Sequence, residues 1–316
     1  MLDFIYYPVS AILWFWHRIF GFVLGPDSGL AWALAVVFLV FTLRALLVRP
    51  ALRQLRTARQ LQELQPRIRA LRKRFPDDLQ RQAVEMRKIQ RENGFNPFLA
   101  FLPALVQAPV FIGLLHVLKS FNRTGTGFGG LGMSPETNAH TPNYVFGVGD
   151  VQSFLGARLF GAPISAAITT PHPTLASFAQ FGGIPSTTTI AAVAIPLMLL
   201  AALATHFNAR ASIARQRRAA EPNPQAELMN RLLLWVFPLG ALLAGPVLMI
   251  AVLLYWVGNN LWTYGQQHLI YARLDREDIA KQVAAAERRA AAAPKPGARP
   301  AARRQSGRRR GKAGRG

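Results

Sequence analysis

Five stretches of the sequence are apolar and close to the length that crosses a bilayer, and this restricts the chain more than any other feature. A helix rises about 1.5 Å per residue, so about 20 apolar residues span the hydrocarbon core. The stretches are Leu30 to Val48, Pro97 to Leu118, Ser186 to Phe207, Met229 to Leu243 and Pro246 to His268. The fourth is short, and only Ala244 and Gly245 separate it from the fifth, so these two are expected to form a tight hairpin. A further apolar segment, Asp3 to Phe22, is crowded with rings: Phe4, Tyr6, Tyr7, Trp14, Phe15, Trp16, Phe20 and Phe22. Such rings favour the headgroup level, so the segment reads as a helix lying in the interface, with a sixth span as the alternative. It lacks the basic start of a secretory signal and is expected to be retained.

The chain is 51% apolar yet carries a formal charge of +22, and the two properties occupy different stretches. Residues 50–96 hold 12 Lys+Arg against 5 acids, residues 208–231 hold 5 against 2, and residues 270–316 hold 14 against 4. Residues 120–184 hold 2 against 2, and residues 1–29 hold 1 against 2. Basic and charge-poor segments alternate as five spans require. The positive-inside rule then places the N-terminus outside and the C-terminus in the cytoplasm.

The expected organisation follows. Residues 1–29 form the interfacial aromatic helix. Residues 30–119 form two spans flanking a cytoplasmic helical hairpin at 51–96. Residues 120–185 form a Gly/Pro-rich outer loop with at most a short helix near Val151 to Phe160. Residues 186–270 form the last three spans, and residues 271–316 a basic, disordered tail. The hairpin rests on a stripe of Leu52, Leu55, Leu61, Leu64, Ile68 and Leu71, broken at Pro76 and resumed after Asp77 and Asp78 by Val84, Met86 and Ile89. From Ala291 the tail is built mainly of Ala, Pro, Gly, Arg and Lys and cannot bury enough apolar surface to fold alone.

Much chemistry is excluded. There is no cysteine, hence no disulfide, thiolate nucleophile or cysteine metal site. The six histidines show no metal spacing, no acid lies within the five spans, and GFGGLG at 127–132 follows no strand. No enzyme, cofactor or small-molecule substrate is indicated.

Arg44 is the exception inside the apolar runs. It lies about 21 Å along its helix and about 8 Å from the helix end. An arginine there can snorkel to the headgroups, or it can face a wet cavity within the bundle. Other polar residues fall at a similar depth: Thr42 beside it, Gln107 about 15 Å into the second span, and Asn259 and Asn260 about 20 Å into the fifth. The bland account is hydrogen bonding between helices; the alternative is a shared polar cavity that receives hydrated, acidic segments of a passing peptide.

These residues stand in an order that resembles the YidC/Oxa/Alb membrane protein insertases, in an actinobacterial-type form. The matching pieces are Arg44 with its basic exit and Pro50, LQPRI at 64–68, DDLQR at 77–81, NPF at 96–98, LPALVQAPVFIGLLHVL at 102–118 and LYWVGNNLWTYGQQHLIY at 254–271. The resemblance implies an all-α polytopic membrane protein with a five-transmembrane-helix core around a polar groove open to the cytoplasm. It implies that Arg44, Gln107 and Asn260 line the groove, to which Thr42 is added for its place beside Arg44, and that Phe111, Tyr255 and Trp256 lie on the client exit path. Its implied partners are nascent membrane proteins, the ribosome through hairpin and tail, and the Sec translocon; anionic lipid is an alternative partner for the tail. Asn259 and Gly258 are not positions where the match carries weight. The competing functions are a small-solute transporter or channel, against which the lack of an internal repeat speaks, and a membrane-anchored ribosome receptor.

Overall fold

The computed structural model describes residues 2–76, 78–92, 98–125, 131–219 and 224–292. Asn96, Pro97, most of the GFGGLG stretch and the tail from residue 293 lie outside the described residues.

Helix α1 (Asp3–Leu24) turns at Gly25–Ser28 into α2 (Gly29–Leu46) and packs against it. After a kink at Leu47 the chain continues as α3 (Val48–Arg74), followed by α4 (Leu79–Glu92). The break falls at Phe75–Asp78, where the Asp78 carboxylate accepts from the Arg81 backbone N–H at 2.9 Å, satisfying an orphan first-turn donor. Leu64, Ile68 and Leu71 are buried on α3, which packs on α4 and α5 (Phe98–Lys119). Val84, expected on the apolar stripe of α4, is exposed; Met86 and Ile89 are half-buried.

The segment expected to be a loop is a structured cap. It contains α6 (Pro135–Ala139), α7 (Val148–Gly156), a two-residue hairpin of β1 (Arg158–Leu159) and β2 (Ala162–Pro163), and α8 (His172–Ala176). What holds it is aromatic. Phe121, Phe146, Phe154 and Phe178 are fully buried, as is Trp32 from the first turn of α2. Trp32 stacks on His17 at 3.6 Å, meets Phe154 edge-on at 4.9 Å and donates its indole N–H to Ser153 at 3.0 Å. Two glycines permit the close approaches. A Cβ on Gly29 would lie 1.9 Å from the Arg158 carbonyl oxygen, and one on Gly113 would lie 2.6 Å from the Ile5 side chain where α1 crosses α5.

Helix α9 (Thr187–Ala219) is followed by a continuous helical run: α10 (Pro224–Arg231), a π-helical turn at Leu232–Val236, and α11 (Phe237–Ala244). The fourth stretch is thus longer than its sequence indicated. The π turn leaves the Leu234 carbonyl to accept from His206 Nδ1 on α9 at 3.0 Å. After a 3-10 turn at Gly245–Val247 comes α12 (Ile250–Ala292). The disordered tail expected from residue 271 is corrected here, because the helix runs on to Ala292. Cap and helix meet at the start of α12: the Ile250 N–H donates to Ala166 O at 3.0 Å and the Ala251 N–H to Ile164 O at 2.8 Å.

Among the described residues, four helical stretches are long and apolar enough to cross a membrane: 3–24, 29–46, 187–214 and 227–247. Within α5 the apolar stretch 107–119 is shorter. Helix α12 falls outside this set because Asn259, Asn260, Thr263, Gln266 and Gln267 interrupt its apolar stretch.

Candidate functional site

A single face of α12 gathers the polar groups. Tyr255, Asn259 and Thr263 recur every four residues, so they stack one turn apart. Arg44, in the last turn of α2, meets the middle of that stripe. Its Nε and Nη2 both donate to Asn259 Oδ1, at 2.9 and 2.6 Å, and Nη2 reaches Thr263 Oγ1 at 3.5 Å. The Thr263 hydroxyl in turn donates to the Asn259 carbonyl at 2.8 Å. One turn away, Gln107 of α5 donates to the Tyr255 hydroxyl at 2.6 Å, and Phe111 packs on the Tyr255 ring at 5.5 Å.

The electrostatics follow from what is missing around the guanidinium. Among the described residues no carboxylate pairs with Arg44, and no acceptor takes Nη1. Arg44 is half-buried within an apolar helix, and among the described residues its charge is met only by neutral dipoles. A guanidinium held this way keeps its full charge for an incoming anion, and in a region of low dielectric that attraction is far stronger than in water.

The neighbouring Asn260 does something else. It is buried, and the Asn208 side-chain amide of α9 donates to both its backbone carbonyl and its side-chain oxygen at 3.1 Å. Thr205 adds a contact at 3.3 Å, and the Asn260 amide donates to the Trp256 carbonyl at 3.1 Å. Asn260 therefore ties α12 to α9. Thr42 turns toward α1, accepting from the Trp16 indole at 2.8 Å and donating to the Phe38 carbonyl at 2.9 Å. Trp256 is half-buried. Of the residues expected together, the structure joins Arg44, Gln107, Phe111 and Tyr255 around α12, while Thr42 and Asn260 point their hydrogen bonds elsewhere. Depth in the span puts Asn259 with Arg44 while the family resemblance gives it no weight, and neither points to Thr263. The four-residue spacing from Tyr255 was the signal that would have found both. No group of acids and histidines among the described residues could hold a metal ion.

Residues 23–277 match the family described as 60Kd inner membrane protein. The chain belongs to this family. The matched range takes in the whole polar stripe and the cap. Among relatives, the Mycobacterium tuberculosis H37Rv protein named "Membrane protein insertase YidC" is 56% identical over 299 residues, which are 95% of this chain and 80% of that protein. The protein of the same name from Mycobacterium leprae is 54% identical over 95% of this chain and 77% of its own length. That of Streptomyces avermitilis is 31% identical over 84% of this chain and 57% of its own. As a member of the YidC/Oxa/Alb family, the chain is a multi-pass, mostly helical protein of a bacterial membrane.

Proposed function

We propose that this chain is a membrane protein insertase and folding chaperone. The observation that carries the reading is Arg44. It is a cation in an apolar helix, held by the neutral Asn259 amide and paired with no acid among the described residues, in a chain 56% identical to a protein named an insertase. Groups arranged so attract a short, hydrated, acidic segment of a client part of the way into the membrane. The apolar helix that follows it then leaves sideways, past Phe111, Tyr255 and Trp256. Partition of that helix into lipid supplies the drive, and no nucleotide is needed. The relatives' names do not favour a solute transporter.

The finer reading is that the stripe formed by Arg44, Gln107, Asn259 and Tyr255 lines a groove open to the cytoplasm, with the N-terminus outside. In this reading Thr42 and Asn260 brace its walls against α1 and α9. The basic segments at 50–96 and 270–316 support that orientation and a role in receiving ribosomes; the Sec translocon and anionic lipids complete the partners. An interfacial α1 is supported by contacts near both of its ends with the cap, since Tyr7 packs on Tyr144 at 5.4 Å and Arg18 pairs with Asp150 at 3.0 Å.

The test is photocrosslinking. A photoreactive residue at 107, 256 or 259 is presented with ribosomes carrying a short membrane-bound nascent chain. Adducts at these positions, and none at the exposed Ile112 of the same helix as Gln107, are the expected result. Ribosome binding without adducts would leave the chain a receptor and sink the insertase reading.

A further inference from the structure

The hairpin of β1 and β2 overhangs the first turns of α9 and leaves a notch of about 530 Å³ between them. Its walls are Leu159 and Phe160 from the hairpin, and from α9 the pairs Thr188/Thr189, Ala192/Val193 and Pro196/Leu197. Successive pairs four residues apart lie on one face of a helix. From Thr188 to Leu197 the notch follows α9 for about 14 Å, close to half of a hydrocarbon core of about 30 Å. It begins at the end of a membrane-crossing stretch, and the exposed apolar residues Ile195, Leu199, Leu200 and Leu203 continue beside and beyond it.

Two further features stand at its polar end. Phe160 is 87% exposed and has a φ of +50°, a conformation in which glycine or asparagine is usual. An exposed ring held in a strained turn is poorly suited to water and well suited to the headgroup level. Arg158, two residues earlier, is pinned by backbone carbonyls. It donates to Gly161 O at 3.2 Å, to Phe181 O at 3.0 and 3.3 Å, and to Gly183 O. A Cβ on Gly161 would lie 3.4 Å from the Thr189 methyl, so this turn abuts α9 at the mouth of the notch. Among the described residues no carboxylate neutralises Arg158. An apolar notch about half a hydrocarbon core long thus ends at a turn whose Gly161 carbonyl is held by Arg158, a cation with no carboxylate partner among the described residues.

We propose that this notch is a binding site for one anionic phospholipid of the leaflet on the cap side. An acyl chain lies along α9 between the paired residues and Phe160, and the phosphate sits against Arg158. A neutral client helix or a second copy of the chain would leave the cation unmet, which is why the occupant is an anionic lipid. The proposal is independent of the insertase reading, because no residue of the polar stripe takes part.

The full chain is reconstituted in phosphatidylcholine vesicles containing a trace of photoreactive lipid, with a diazirine on the acyl chain and either a phosphatidylglycerol or a phosphatidylcholine head. Labelled peptides are mapped by mass spectrometry. The phosphatidylglycerol probe is expected to label residues 188–197 several-fold more than the phosphatidylcholine probe. Arg158→Gln removes that excess, and Arg158→Lys keeps it. Ala192→Trp, at an exposed position of the notch, lowers labelling by both probes and guards against misfolding of the Arg158 variants. Equal labelling of wild type by the two probes, or unchanged labelling in Ala192→Trp, would overturn the proposal.

Discussion

At Arg44 two N–H groups share one amide oxygen, and that asymmetry decides what the site can receive. Asn259 fixes the guanidinium without quenching it. Asn259→Asp would place a carboxylate where Oδ1 now lies, at 2.6–2.9 Å, and neutralise the cation. Insertion of a client with an acidic tail is expected to fall about tenfold, the equivalent of about 1.4 kcal/mol, while a client with a neutral tail is little affected. Insertion assays on the two clients in the same vesicles check this. If both fall together, Asn259 matters for packing alone. The sequence made Arg44 and Gln107 legible because a charge or an amide in an apolar run stands out. It did not make legible which of two adjacent asparagines faces Arg44. Consecutive helical residues point about 100° apart, and only the neighbouring helices decide which way each one turns.

Among the elements, the cap was the least legible. Its Gly, Pro, Thr and Ser content reads as loop, and its helices of five to nine residues are too short to show a period. Order comes instead from long-range aromatic contacts, chiefly with Trp32, which lies in a different element. Trp32→Ala is expected to cost about 3–5 kcal/mol, the usual range for emptying a buried aromatic site. Thermal unfolding in detergent should show it, together with faster proteolysis within 131–184. The tie between α9 and α12 is subtler. Asn260→Leu takes the side-chain oxygen from the Asn208 amide and leaves it the Asn260 backbone carbonyl, and is expected to cost about 1 kcal/mol. Asn208→Leu combined with Asn260→Leu should recover part of that loss, since both polar partners are then gone. A double variant that loses as much stability as the two single variants added together would mean that the pair contributes nothing of its own.

For the whole molecule, the alternation of apolar and basic stretches was enough to read a multi-pass helical membrane protein. It was not enough to read the helix ends. Residues 271–292 hold no Pro or Gly, unlike the tail beyond them, and α12 runs through them, because alanine-rich sequence with i,i+4 pairs such as Arg273–Glu277 sustains a helix. The absence of cysteine makes a clean probe of the polar stripe possible. Gln107→Cys is expected to react with a membrane-impermeant thiol reagent added from the side that water reaches, and Ile112→Cys on the same helix is not. Equal protection at both positions would mean that the stripe is dry.

The two backbone bonds from Ile164 and Ala166 to the start of α12 act as a surveyor's datum. A helix is stiff along its axis, so fixing its first turn fixes the height of everything hung from it. Asn259 lies nine residues beyond Ile250, about 14 Å along the axis. The cap therefore sets the level at which Arg44 finds its partner without touching it. A graft that exchanges the cap but loses this pair of carbonyls would move the benchmark, and every height measured from it.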